Sequence, residues 1–205
     1  MSSFQLPPTQ NLTGIRWFID THIVDSPEAS KLRKLYELGW IYLQVPDTVI
    51  TELTSANNPK NREALLDQAS SFMVSMGPNV LGSSLIGYSL IGSPADQERI
   101  DAIHQILWEK PFKSDASSEG SRTGLTRARD SLIVNNAIHY QADALITQDQ
   151  KILNRYPRLH SISPTFKAIT IDSALNQALA SIKCVRTTSR VPLPEWPSAD
   201  QLLSD

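Results

Sequence analysis

Short, dense apolar runs alternate with stretches of helical period along this chain, and the alternation predicts a layered fold. Ile15-Arg16-Trp17-Phe18-Ile19 is a β-prone run that stops at Asp20. A helix is expected next. Ser26 suits its N-cap, Pro27 its first turn and Glu28 the positive helix end, while Leu32, Leu35, Tyr36 and Leu38 supply an apolar face and Gly39 suits the position just past the last turn. Residues 40–45 read as a second strand closed by Pro46, and Asp47 can cap a helix through Thr48, Val49, Glu52 and Leu53. Residues 61–76 are helical in pattern, with Leu65, Leu66, Ala69, Phe72 and Met73 on one side. Two tandem five-residue units, 82–86 and 87–91, predict a short strand and loop. Ser93-Pro94 opens a helix that carries Ile100, Ile103, Ile106 and Leu107 at helical spacing. Residues 110–125, rich in Ser and Gly, predict a mobile loop, and Thr126 a cap for a helix over 127–140. Residues 144–147 read as a short buried strand, and Asp149 opens a helix to about Tyr156. Residues 168–171 read as a last strand, and Asp172 caps a final helix through Ile182. Residues 1–13 are an N-terminal tail, 14–182 a single domain and 183–205 a C-terminal extension.

Strand and helix alternating in this way imply an α/β fold, a doubly wound α/β/α sandwich with a mainly parallel central sheet. Composition permits it: 205 residues, 40% hydrophobic and 20% charged, suffice for one full core and argue against disorder, collagen or coiled coil. A single cysteine, Cys184, excludes an intramolecular disulfide and a cysteine-based zinc site, and it suits a reducing compartment. The first ten residues lack the basic and apolar regions of a secretory signal. Residues 68–95 carry no charge, but four glycines, two prolines and seven serines break them up, so no membrane span is expected. A cytoplasmic location follows as the expectation. Net charge is only −2, yet residues 150–194 hold seven basic side chains against one acid. Such asymmetry suits a polyanionic partner, and equally a solvated surface.

In doubly wound sheets, ligands sit at the carboxyl ends of the strands. That rule selects four acids. Asp20 stands directly after the first strand, Glu52 in the helix after the second, Asp130 in the helix before the strand at 144–147, and Asp149 two residues beyond that strand. Each alone has an ordinary structural reading as a turn residue, helix cap or solvated position. Together at one sheet edge they would repel one another and raise each other's pKa, a crowding that a hard divalent cation relieves. Carboxylate donors favour Mg²⁺ or Mn²⁺ over zinc. Asp47 and Asp143 lie near these acids and are expected to serve as caps.

Four segments carry a resemblance to a known family: Phe18-Ile19-Asp20-Thr21-His22, Val45-Pro46-Asp47-Thr48-Val49-Ile50-Thr51-Glu52-Leu53, Arg129-Asp130-Ser131-Leu132-Ile133, and Ala142-Asp143-Ala144-Leu145-Ile146-Thr147-Gln148-Asp149. In order and approximate spacing the chain resembles a PIN-domain nuclease over about residues 14–172. The stretch between Glu52 and Asp130 is longer than in compact members, and the chain continues past the last matched strand. The resemblance implies a PIN-like doubly wound domain that hydrolyses phosphodiesters, usually of RNA, with Mg²⁺ or Mn²⁺. By position, Asp20, Glu52, Asp130 and Asp149 would form the catalytic, metal-binding pocket, with Thr21 and Thr147 in support. It also leaves open an antitoxin partner, as for toxin-type members, and a homodimer.

An acidic pocket repels RNA, so cations must hold the backbone. Arg127 and Arg129 flank Asp130, Lys151 and Arg155 follow Asp149, and Arg158 lies just beyond. Trp17, Trp40 and Trp108 are expected in the core, and His22 as a structural histidine. Other phosphate chemistries fit less well. A haloacid-dehalogenase-like phosphatase needs a second Asp where His22 stands, a response-regulator receiver lacks its acceptor Asp, and no Gly-rich phosphate loop is present. A catalytically silent PIN-like module that binds RNA or protein is the alternative.

Overall fold

The structure, a computed structural model, describes residues 10–24, 26–54, 59–79, 90–110, 122–190 and 193. Its centre is β1 (Arg16–Ile19), whose last three residues are buried, as in a strand covered on both faces. β1 pairs in parallel with β2 (Tyr42–Pro46) on one side, Trp17 opposite Leu43. On the other it pairs in parallel with β6 (Ala144–Ile146), Phe18 opposite Leu145. β3 (Met73–Ser75) extends the sheet beyond β2, and β7 (Ala168–Ile169) extends it beyond β6, both in parallel. The resulting order, β3-β2-β1-β6-β7, makes an α/β fold with a five-stranded, all-parallel sheet. β4 (Pro78–Asn79) and β5 (Leu90–Ile91) form a separate parallel pair.

The chain starts at the centre, winds to one edge through β2 and β3, then returns to the far side of β1. That order is compatible with a doubly wound sandwich, because right-handed crossovers in opposite directions place helices on opposite faces. It also puts the reversal point between β1 and β6.

Eight α-helices are found among the described residues: α1 (Thr21–Val24), α2 (Ala29–Glu37), α3 (Asp47–Thr54), α4 (Pro59–Ser70), α5 (Pro94–Trp108), α6 (Arg122–His139), α7 (Gln150–Arg155) and α8 (Ile171–Thr188), with a 3-10 turn at Tyr156–Ser161. Local sequence accounts for several boundaries. Ser93 caps α5 with a reciprocal pair: its Oγ accepts the Asp96 N–H at 3.2 Å, and Asp96 Oδ2 accepts the Ser93 N–H at 2.9 Å. Gly39, at φ +74°, follows the end of α2 in the left-handed conformation that glycine adopts without strain. The core is continuous from Trp17, Phe18 and Trp40 through Leu43, Val45, Leu145 and Ile146 to Phe166.

Several expected boundaries move. α2 opens at Ala29 after Glu28, not at Ser26, whose hydroxyl donates to the Ile23 carbonyl at 2.9 Å. The chain spends that stretch on α1, which tucks Ile23 and Val24 into the core. Helical pattern over 61–76 conceals β3: α4 ends at Ser70, and Met73 pairs with Gln44. α6 begins at Arg122, so Thr126 lies inside it and does not cap it. The cap of α8 is Thr170, whose hydroxyl accepts the Ser173 N–H at 3.3 Å, and Asp172 lies in the first turn. α8 runs on to Thr188, past Ile182. Asp143 does not cap a helix; its Oδ2 accepts the Arg16 N–H at 2.7 Å and fastens the start of β1. Of the tandem units, only Leu90–Ile91 is described, and most of the expected 110–125 loop, residues 111–121, lies outside the described residues. Among the described residues, no helix is long and apolar enough to cross a membrane.

Candidate active site

Asp20 emerges from β1 at the reversal point, where its N–H donates to the Ile146 carbonyl at 3.0 Å. It is buried, 4% exposed, and both of its carboxylate oxygens are engaged. Oδ1 accepts the Thr21 N–H at 2.6 Å, and Oδ2 accepts the Thr147 hydroxyl at 2.6 Å. The Thr147 oxygen in turn accepts the Asp149 N–H at 3.0 Å. The Thr21 hydroxyl donates to Glu52 Oε2 at 2.7 Å. Two threonines therefore tie together three acids that come from the ends of β1 and β6 and from α3. Glu52 arrives because α3 continues directly from β2, the neighbour of β1.

Asp130 completes the set from α6. Its carboxyl is pushed up to about 8, first by burial and then by the charges of Asp20, Asp149 and Glu52, with Lys151 acting against them. Asp20, Asp149 and Glu52, picked out from the sequence with Asp130, thus all lie near enough for their charges to act on it. Asp20 is also held above its ordinary range, first by burial; the hydrogen bond from Thr147, the charge of His22 and the Thr21 N–H act against that, and the charge of Glu52 adds to it. Asp149 has a further duty. Its Oδ1 accepts the Lys151 N–H at 2.7 Å and caps α7.

Chemically the site suits a hard divalent cation: it is a crowd of carboxylates whose repulsion such an ion relieves. Among the described residues, however, no three His, Cys, Asp or Glu side chains are placed to hold a metal ion together. Donor type therefore fits, and closing the set onto an ion takes side-chain movement.

The basic residues divide into two groups. Arg127 and Lys151 both lie against Trp108, with the guanidinium carbon 5.3 Å and Nζ 3.9 Å from the ring centroid. Lys151 is close enough for its charge to act on Asp130. Trp108 is only half-buried, unlike Trp17 and Trp40; it packs against the core, as expected, and also carries both cations. Arg155 and Arg158 turn elsewhere. Arg155 Nη1 donates to the Ile106 and Leu107 carbonyls, both at 3.0 Å, and pairs with Glu109 at 3.2 Å, which closes the end of α5. Arg158 shares Glu109 at 3.3 Å. Arg129 is half-buried on α6 beside Asp130.

Two features were not visible in the sequence. Asp47, 2% exposed, is no ordinary cap: its Oδ1 accepts the Asn136 Nδ2–H at 3.4 Å, which links α3 to α6. A pocket of about 380 Å³ opens beside the acids, lined by Thr21, His22, Ser26, Pro27, Leu53, Leu65 and Gln148. Thr21 and Gln148, which adjoin Asp20 and Asp149 in sequence, were the only pointers to it.

No protein-family model matches the chain, and neither a curated protein nor a solved structure matches it significantly.

Proposed function

We propose that this chain is a PIN-like, metal-dependent phosphodiesterase acting as an endoribonuclease. The observation that carries the reading is the meeting of Asp20, Glu52 and Asp149 with Asp130, whose carboxyl their charges help to raise to about 8. A site that exists only to fold gains nothing from such repulsion, whereas perturbed carboxyls cluster where chemistry is done. Asp20, Glu52, Asp130 and Asp149 would hold Mg²⁺ or Mn²⁺, and the bound ion would supply Lewis acidity and charge neutralisation for hydrolysis of a phosphodiester.

The chain's own residues do the rest. Thr147 and Thr21 hold Asp20 and Glu52 in fixed orientations through bonds of 2.6 and 2.7 Å. Lys151 and Arg127, steadied on Trp108, offset the acidic field so that a phosphate can approach. Asp130 keeps its proton to near neutral pH while the site holds no cation, which limits the charge the fold must bear.

A labelled RNA panel incubated with Mn²⁺, Mg²⁺ or EDTA tests the proposal. Cutting is expected with either ion, none in EDTA, and none from folded Asp20→Asn or Asp130→Asn. A second reading, the catalytically silent RNA- or protein-binding module, is favoured by one observation: no three of the described side chains are placed to hold a metal. Absence of cutting together with no metal-induced rise in Tm would select it.

A further inference from the structure

We infer that Arg127 and Lys151, gathered on Trp108, form a seat for a terminal phosphate monoester of the RNA, so that the chain takes hold of a strand by its phosphorylated end; this rests on the ribonuclease reading above. The two cations share one indole, with Arg127 Cζ 5.3 Å and Lys151 Nζ 3.9 Å from its centroid. Like charges drawn onto one ring repel each other. Glu109 takes Arg155 and Arg158, and Asp96 takes Arg99, but neither Arg127 nor Lys151 forms an ion pair among the described residues. Hydrogen bonding is incomplete at the same place. Arg127 Nε–H and Trp108 Nε1–H are both shielded from water, and neither finds an acceptor among the described residues. Covered donors without partners are costly to a fold, and two of them beside two cations ask for a ligand that accepts hydrogen bonds and carries negative charge. An oxyanion does both.

Charge selects the kind of ester. An internal phosphodiester carries one negative charge, whereas a terminal phosphate carries about 1.5–2 at pH 7 and offers three oxygens. Two cations and two further N–H donors match the second. Arg127 meets such oxygens with a fork and Lys151 with a point charge, and an incoming phosphate draws the guanidinium along the ring toward the acceptor it lacks. The three side chains stand on helices that are held in place: Trp108 ends α5, Arg127 lies on α6 and Lys151 is in the first turn of α7. Arg155 Nη1 fastens the end of α5 through the Ile106 and Leu107 carbonyls. The Ser131 hydroxyl donates to the Arg127 carbonyl at 3.0 Å and meets His104 Nδ1 at 2.9 Å, which fixes α6 against α5. Lys151 is near enough for its charge to act on Asp130, so the seat adjoins the carboxylates.

The test measures binding with metal chelated, so it does not depend on cutting. An internally labelled oligoribonucleotide is titrated with the full-length protein in EDTA, bearing a 5′-phosphate, a 3′-phosphate or hydroxyls at both ends. A fourth version carries a 5′-methyl phosphate, which keeps the group and leaves it a single charge. One phosphorylated end is expected to bind at least about tenfold tighter than hydroxyl ends, and methylation of that phosphate to remove most of the gain. Arg127→Met and Lys151→Met, compared after thermal melts confirm folding, are each expected to bind all ends alike. Arg158→Ala, which removes an exposed cation held by Glu109, should keep the preference. Equal affinity for phosphate and hydroxyl ends, equal affinity for phosphate and methyl phosphate, or a preference that survives both Met variants overturns the inference. So does a nucleoside monophosphate that competes as well as the phosphorylated strand, which would assign the seat to a free nucleotide. Cutting with Mn²⁺ and no preference between ends removes the seat and leaves the nuclease; a preference between ends with no cutting under either ion does the reverse.

Discussion

Thr147 and Asp20 are 127 positions apart in sequence and joined by a hydrogen bond of 2.6 Å. The bond spans the reversal point of the sheet, and because Thr147 also accepts the Asp149 N–H, one hydroxyl orients two acids. Thr147→Val keeps shape and removes both roles. It leaves a buried carboxylate short of a donor and is expected to cost about 1–3 kcal/mol at neutral pH by urea unfolding. Thr147→Ser should recover most of that. A valine variant as stable as the wild type would show that the bond is dispensable.

The raised carboxyl of Asp130 sets a pH dependence. Its ordinary value is 3.8 and its folded value about 8, so between them the folded chain binds a proton that the unfolded chain has released. Stability from this group is complete below pH 4 and is lost as pH rises toward 8, with a slope of at most about 1.4 kcal/mol per pH unit. Asp130→Asn is expected to flatten that decline in EDTA and to be more stable than the wild type at pH 8. Parallel pH profiles for the two proteins would refute the crowding of charge at this site.

Cations should act on the same crowding. Millimolar Mn²⁺ is expected to raise the Tm of the wild type at pH 7.5, an ion at a hundred times its Kd adding about 2.7 kcal/mol, and EDTA to reverse the rise. Asp130→Asn should respond weakly, since one donor and much of the repulsion are gone. Equal shifts in both proteins would place the ion elsewhere.

Trp108 carries the stacked cations, so Trp108→Leu should loosen Lys151 and Arg127 together. RNA affinity in EDTA is expected to fall by about tenfold, with a shallower salt dependence. Arg155→Ala makes the contrast. It opens the end of α5 and should lower Tm while leaving the salt slope intact. A steeper loss of binding in Arg155→Ala than in Trp108→Leu would reverse this assignment.

Gly77 meets Asn136 so closely that an added Cβ would lie 1.8 Å from its Oδ1. Gly77→Ala must therefore displace Asn136 from Asp47, and a cost of about 1–3 kcal/mol is expected in thermal or urea unfolding. A neutral substitution would mean that the two segments separate freely.

Much of the fold was legible because some elements announce themselves locally. The apolar runs that end in Asp20 and Thr147 are buried strands, and Ser93-Pro94 carries its own cap. β3 was hidden because Phe72 and Met73 continue the stripe of the preceding helix, and three residues are too few to show a period of two. Asp20, Glu52 and Asp149 could be read because each stands near an element end that topology gathers, whereas Asp130 lies in the middle of α6 and was read from its segment of the family resemblance. The fate of Arg155 could not, since its partners are backbone carbonyls at Ile106 and Leu107, 49 and 48 positions away, and a carbonyl has no letter in a sequence. The pocket was equally silent, being assembled from α1, the segment after it at Ser26 and Pro27, α3, α4 and the turn after β6.

Asp149 narrows what evolution could put in its place. Its Oδ1 holds the first turn of α7, the helix that begins with Lys151 near its start, and its charge acts on Asp130. Asn or Ser would keep the helix and lose the charge; Glu would keep the charge and fit the cap poorly. Only one amino acid serves both ends, so tolerance at this position measures how far the chain's folding and its chemistry have been merged in a single side chain.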